Sequence, residues 1–259
     1  MNELNAVLTV ASREVVKLAR DPGRLAFTVV ISFVWIGLMG GALQSNLGRA
    51  ASFDFIAFMF TGVLGGTLFL NAAQGLVSLI QDRESDFSQE MFVAPVSCYS
   101  IVLGKVLGES LSVFLQGLSM IAIAVLLRVP LTPVQLVLLL PASFLAGLLG
   151  GAFGLVAMSL FENQRAAQQI FPILSLPQFF LAGVLTPIKI LPWYLSILSI
   201  VSPMRYGVDL VRNVAYAGRP EYGRVVLFGP LVNLPVMAAM FVVFLAAGSW
   251  LFVRRETNR

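Results

Sequence analysis

The chain has 259 residues, 58% of them hydrophobic and 12% charged, with a formal net charge of +4 and a mean hydropathy of +0.88. That composition excludes an ordinary soluble domain and makes the chain an integral membrane protein. With no histidine and a single cysteine, Cys98, it also excludes histidine-dependent triads, His-based zinc sites and an intramolecular disulfide.

Residues 4–20 read as an amphipathic helix. Leu4, Val7, Leu8, Ala11, Val15 and Leu18 share one face, and Arg13, Glu14, Lys17 and Arg20 lie opposite. The pattern suits a helix in the headgroup plane, with Arg13 and Lys17 turned to water or anionic lipid. The charges follow the apolar residues and no small-residue cleavage site appears, so a secretory signal is not expected. Asp21-Pro22-Gly23 ends the helix, and Arg24 marks the water boundary.

Uncharged runs place six spans, at 25–43, 55–80, 110–127, 134–161, 166–187 and 225–253. Each reaches the roughly 20 residues that cross about 30 Å of hydrocarbon, except the third, which borrows Lys105 to Glu109 as a helical extension. Small residues offer packing surfaces at Gly37, Gly40 and Gly41, at Gly62, Gly65 and Gly66, and at Gly147, Gly150, Gly151 and Gly154. The apolar run 190–204 is only about 15 residues long and carries Pro192 and Pro203, so it is expected to enter and leave one face. With the N-terminus inside, ten of the 17 Lys and Arg residues fall inside and seven outside; letting 190–204 cross would make it eleven and six. Length and the two prolines decide against that crossing. The basic residues bracket oily runs rather than forming a soluble face, so nucleic acid is not an expected partner.

Between the second and third spans, Asp82, Arg83, Glu84, Asp86 and Glu90 fall within nine residues, a density too costly for hydrocarbon. Asp86 with Gln89 three residues on predicts a helix start, and Pro95 closes the helix about two turns later. Phe87, Met91 and Ala94 share a face with Phe92 beside them, while Asp86 and Glu90 lie elsewhere. So short a helix is marginal alone and is expected to dock on a partner. Near the other end of the chain come Phe171-Pro172, Phe179-Phe180-Leu-Ala-Gly183, Thr186-Pro187, Leu191-Pro192-Trp193-Tyr194, Ser202-Pro203, Tyr206, Asp209 and Arg212. Trp193 and Tyr194 suit an aromatic belt. Asp209 and Arg212 at i,i+3 read as a local ion pair worth little when exposed.

The order of acidic cluster, short helix, Ala94-Pro95-Val96-Ser97 and Ile101-Val-Leu-Gly-Lys105 resembles the cytoplasmic coupling segment of type 2 ATP-binding-cassette exporter permeases, the daunorubicin-resistance and nodulation type. The 171–212 series is similar to that family's fifth span and outer re-entrant hairpin, so the likeness covers nearly the whole chain. It departs at Asp86-Phe87, where the family commonly has Gly-Thr. The resemblance implies an all-α membrane protein forming one permease domain over 1–259. Its parts are six transmembrane helices, an N-terminal amphipathic interfacial helix (4–20), a cytoplasmic coupling loop (82–105) and an external re-entrant hairpin and loop (188–224). It implies a bacterial cytoplasmic membrane location with both termini cytoplasmic. The implied partners are membrane lipids, a second permease subunit in a homodimer and a separate ATPase subunit that binds ATP and Mg. The implied cargo is amphipathic: a drug, a lipid or a lipid-linked glycan.

No Gly-x-x-x-x-Gly-Lys-[Ser/Thr] occurs, so this chain offers no P-loop, and no catalytic, cofactor or metal residue is assigned to it. The ATPase contact is expected at Glu84, Phe87, Met91, Phe92 and Pro95, flanked by Arg13 and Lys17. By resemblance the outer gate comprises Pro187, Pro192, Trp193, Tyr194, Pro203, Tyr206 and Arg212. Polar stripes at helical spacing, Asn71, Gln74, Ser78 and Gln81 in the second span and Lys105, Glu109, Ser112 and Gln116 in the third, line a cleft or simply hold the bundle together. Lys105 and Glu109 at i,i+4 suit a neutralising pair. The rivals are an ion-coupled secondary transporter and a membrane anchor for an ATPase. Glu109 is the sole carboxylate near a span interior, which is thin equipment for the first.

Overall fold

Side-chain caps set where the long rods begin. Asp54 accepts from the N–H groups of Ile56 and Ala57 at 2.8 and 3.3 Å, Ser97 from Tyr99 at 3.2 Å, and Asn163 from Ala166 at 2.8 Å. Thr132 and Gln135 cap each other reciprocally at 3.3 and 2.9 Å, with Pro133 at the first helical position. Each supplies a partner to first-turn N–H groups that the helix cannot satisfy itself. The computed structural model describes residues 3–51, 54–84, 97–161 and 163–257 and shows no strand among them.

In chain order the helices are α1 (Glu3–Ala19), α2 (Pro22–Phe33), a π-helical stretch (Val34–Gly40), α3 (Gly41–Ala51), α4 (Phe55–Gly75), α5 (Val77–Glu84), α6 (Cys98–Leu126), α7 (Pro133–Ser159), α8 (Gln164–Leu181), a 3₁₀ turn (Ile188–Ile190), α9 (Trp193–Val201), α10 (Pro203–Ala215), α11 (Tyr222–Val225) and α12 (Pro230–Thr257). Five stretches are long and apolar enough to cross a membrane: Leu25–Asn46, Phe55–Ile80, Tyr99–Leu126, Pro133–Ser159 and Tyr222–Arg254. The second matches the sequence boundaries, and the third absorbs Lys105 to Glu109 into one unbroken helix, α6.

The expected run 166–187 is not among the five. Its helix, α8, starts at Gln164 and stops at Leu181, where the chain turns through Gly183 at φ +69°. A run free of charges is not the same as an apolar one: Gln164, Arg165, Gln168, Gln169 and Gln178 dilute this helix, and Pro172 and Pro177 interrupt its bonding ladder.

The buried centre is α4 and α7, backbone against backbone. A Cβ on Gly150 would strike the carbonyl oxygen of Phe69, and one on Gly154 that of Ala73. The first-span glycines do less. Gly40 approaches Ile56 Cα, with a Cβ there at 3.4 Å, whereas Gly41 faces open space and Gly37 meets only the ring of Phe33.

Two short elements finish the bundle at opposite ends. At one end α1 lies across the start of α6; at the other α10 is inserted beside α4 and α7. The register of α10 is given by its neighbours: Gly207 lies against Ala146, in the middle of α7, while Gln135, at the start of α7, donates to the Ala217 carbonyl at 3.0 Å. The eleven residues between those α7 positions amount to about 16 Å of helix, so α10 runs along half of a span. The hairpin made by α9 and α10 therefore turns, at Ser202-Pro203, near the middle of the bundle.

Candidate functional site

At the α1 end, the helix faces differ from the periodic reading. The buried stripe of α1 is Val7, Ala11, Glu14 and Leu18 together with Ala6, whereas Leu4 and Leu8 are exposed, at 68% and 58%. Glu14 belongs to the docked face rather than beside Arg13 and Lys17 in water. Two glycines of α6 make the close approach possible. A Cβ on Gly104 would fall 2.8 Å from the Val7 carbonyl oxygen, and one on Gly108 would fall 2.9 Å from Ala11 Cα. In that dry seam Lys105 Nζ donates to Glu14 Oε1 at 2.7 Å, and Lys17 donates to the same oxygen at 3.2 Å. Lys105, expected to pair with Glu109 on its own helix, thus makes an ion pair between helices, with Glu14. Burial opposes the charge on Glu14, but the ammonium groups of Lys105 and Lys17 outweigh it and hold the carboxyl below the usual carboxylate range. Farther along α1, Glu3 accepts from the N–H of Ser97 at 3.3 Å, tying its first turn to the root of α6.

Beside this seam lies a cavity of about 760 Å³. Arg13, Glu14, Lys17 and Asp21 close it on the α1 side, Phe27 and Thr28 of α2 on another, and Asn71, Gln74 and Ser78 of the second span on a third. Glu109 of α6, Gln164 and Gln168 of α8 and the less polar Leu18, Gly75 and Val77 complete the wall. The second span breaks at Leu76, between α4 and α5, and a Cβ on the adjacent Gly75 would collide with the Glu109 carboxylate. Gly75 is thus the space into which that carboxylate fits. Deeper in the bundle, Asn71 donates to Gln116 at 2.5 Å. Beyond that pair the buried Gln116 Nε2 and Ser112 Oγ find no hydrogen-bond partner among the described residues.

Of the expected polar path, Asn71, Gln74, Ser78 and Glu109 line this cavity; Lys105 lies behind Glu14, and Gln116 lies beyond Asn71. Arg13 and Lys17, expected at the ATPase contact, are exposed on α1 and reach the same wall. Glu84 ends α5. Phe87, Met91, Phe92 and Pro95 lie outside the described residues. Sequence reasoning missed Glu14, Asp21, Gln164 and Gln168. Glu14 was detectable, because positions 7, 11, 14 and 18 make one helical stripe. The α8 glutamines had no partner visible in one dimension.

At the α10 end the expected gate residues divide. Trp193 and Tyr194 are exposed, at 76% and 51%, and meet edge to face at 5.9 Å. Pro203, Tyr206 and Arg212 are buried in α10. Asp209 and Arg212 are both about 1% exposed rather than at the surface, and each is engaged elsewhere. Asp209 accepts from the N–H groups of Leu227 and Phe228 at 2.8 and 2.9 Å and from Asn233 Nδ2 at 2.8 Å. Arg212 donates to the Gly183 carbonyl at 2.7 Å and sits over the Phe58 ring at 4.0 Å. Asn213 joins in, donating to the Phe228 carbonyl at 2.8 Å. Pro187 precedes the 3₁₀ turn and Pro192 caps α9, both on the chain leading into this hairpin.

A bundle that is all-helical among the described residues, with several apolar spans, a polar cavity at one end and an inserted hairpin at the other, is the frame of a multi-span membrane protein. Residues 5–216 match the ABC-2 type transporter family, and the chain belongs to that family. It is therefore the membrane permease of an ABC transporter and not its ATPase, and the family implies an ATPase partner. The chain is 25% identical over 214 residues to a chain from Cyanophora paradoxa named as a transport permease, ycf38, covering 81% of this chain and 73% of that one. It is 24% identical over 139 residues to the multidrug ABC transporter permease YbhR of Escherichia coli strain K12, covering 53% of this chain and 38% of YbhR.

Proposed function

We propose that this permease exports an amphipathic substrate, with the α1 end cytoplasmic and the α10 end external, in the cytoplasmic membrane of a bacterium. The observation that carries the reading is the position of the cavity. It lies at the end of the bundle from which the 82–105 segment departs, and its wall includes α1 and the broken second span. An ATPase pushing on that segment acts next to the cavity. Both chain termini are cytoplasmic in this reading, α1 lies in the headgroup plane with Leu4 and Leu8 toward lipid, and α8 serves as a sixth, more polar rod. The homodimer supplies the second wall that the glutamines of α8 face.

In this reading substrate enters at the amide-lined cavity, passes the Asn71–Gln116 pair and leaves beside the α9–α10 hairpin. Glu84, Phe87, Met91, Phe92 and Pro95 take the push from the ATPase, with ATP and Mg held by that partner. Tyr206 and Arg212 hold the inner leg of the hairpin, and Trp193 and Tyr194 anchor its outer leg at the interface. The buried carboxylate of Asp209 is spent on the Leu227 and Phe228 N–H groups and on Asn233, which does not favour ion coupling.

The test is reconstitution with the partner ATPase in vesicles. Vanadate-sensitive, ATP-dependent export that disappears when residues 87–93 are deleted is the expected result. Transport that follows a proton gradient without ATP, or full-rate export by the deletion variant, would refute the reading.

A further inference from the structure

Two polar groups deep in α6 break the pattern of their neighbours. Ser110 and Ser119 donate to the carbonyls of Val106 and Leu115 at 2.7 and 3.4 Å, the ordinary course for a hydroxyl on an apolar helix. Ser112 lies between them, 1% exposed, and its Oγ makes no such bond. One turn on, Gln116 is 0% exposed and its Nε2 has no acceptor among the described residues. The other atom of that amide takes the Asn71 bond at 2.5 Å. Exchanging oxygen and nitrogen would only move the unmatched position, so half of the amide is left over either way. Gln116 stands ten residues before the end of α6 at Leu126, about 15 Å of helix and roughly half the thickness of the hydrocarbon. At that depth an unmatched amide or hydroxyl is strongly unfavourable.

We propose that Ser112 and Gln116 bind an internal water, which accepts from Gln116 Nε2 and donates to Ser112 Oγ. The two residues stand at i and i+4 on one helical face, with Cβ atoms about 6 Å apart. A single water spans that separation with an ordinary hydrogen bond to each side chain, and a buried water commonly serves such leftover groups. Solvent reaches the site past one side chain, because Asn71, the partner of Gln116, also lines the cavity. Across the seam Ser143 of α7 repeats the pattern at the same depth. It is 0% exposed, its Oγ has no partner among the described residues, and its Cβ lies 3.8 Å from where a Cβ on Gly117 would stand. Hydration thus continues one layer beyond the cavity, into the seam between α4, α6 and α7. The inference is independent of the direction of transport and of the cargo.

The experiment is radiolytic hydroxyl-radical footprinting of the full chain in nanodiscs in isotopically labelled water, since radicals born from a bound water mark side chains that bulk solvent does not touch. Met120 is the reporter, one turn beyond Gln116 on the same face and 0% exposed; Met59, equally buried in α4, is the control. Met120 should take up label while Met59 stays dark, and Ser112→Ala and Gln116→Leu should each abolish the Met120 label. Ser112→Ala should also lower the Tm by about 2–4 °C, the effect of one net hydrogen bond in a chain of this size. A hydroxyl with no water would behave oppositely, because deleting an unmatched polar group leaves the Tm unchanged or raises it. A Met120 as dark as Met59, equal labelling of the wild type and both variants, or an unchanged or raised Tm in Ser112→Ala overturns the assignment. Should Gln116→Leu fail to fold, Ser112→Ala carries both readouts. Neither readout involves the ATPase, so loss of the export reading leaves this one standing.

Discussion

Glu14 and Lys105 show how much one ion pair decides at the scale of a residue. Both are buried, so Lys105→Met leaves the Glu14 carboxylate only its longer contact to Lys17 and should cost about 3 kcal/mol, seen as a lower Tm in detergent. The double variant Glu14→Lys with Lys105→Glu should recover most of that loss. The carboxyl is held below its ordinary value of 4.5. Its contribution is therefore complete above that pH and is lost as pH falls through the lowered folded value. A fluorophore on α1 should report loosening of α1 from α6 only under acid, well below pH 4.5, and Glu14→Gln should abolish that acid step. Asp209 is the counterpart at the α10 end. Asp209→Ala leaves the N–H groups of Leu227 and Phe228 without an acceptor and should lower stability by about 2 to 3 kcal/mol, while Asp209→Asn, keeping one acceptor oxygen, should lose less. The periodicity of α1 held the clue to Glu14. Nothing in the sequence tied Asp209 to residues 18 and 19 positions later.

Helices here are placed by glycine contacts more than by side-chain interlock. Gly108→Leu would drive a side chain into Ala11 and Glu14, and Gly150→Val would push α7 off the Phe69 carbonyl. Each should cost about 1 to 3 kcal/mol by overpacking, whereas Gly41→Ala, facing open space, should be silent in the same melts. The run of small residues in α7 was legible as a packing surface, and its partner was not. Gly104 and Gly108 carry no sign of their role in one dimension, because the helix they receive lies about 95 positions earlier. At this scale α8 is the instructive departure: counting charges marked 166–187 as an apolar span, while its glutamines and prolines keep it from being among the five stretches apolar enough to cross.

At the scale of the whole molecule, a polar cavity end lies opposite a pinned hairpin end. Single-cysteine variants on a Cys98→Ser background test that separation. In sealed vesicles of one orientation, Gln74→Cys should react with a membrane-impermeant maleimide from one side only and Trp193→Cys only from the other. Labelling of both from the same side would defeat the two-ended arrangement. Both positions are exposed, so the probe itself does not need the bundle to open.

Composition, hydropathy and capping residues alone determined that this is a helical membrane protein. Most span boundaries were also local in origin, since apolar length and helix starts are properties of neighbours in sequence. The motif order pointed to the permease family, which the family match then established for residues 5–216. Only the tertiary structure decided which polar residues share a space. Amides from α4 and α8, carboxylates from α1 and α6, and the carboxylate of Asp209 with the 227–233 chain meet because helices pack at glycine-lined seams. Such meetings depend on the relative rotation and depth of whole rods, to which a helical stripe, repeating identically at every turn, is blind.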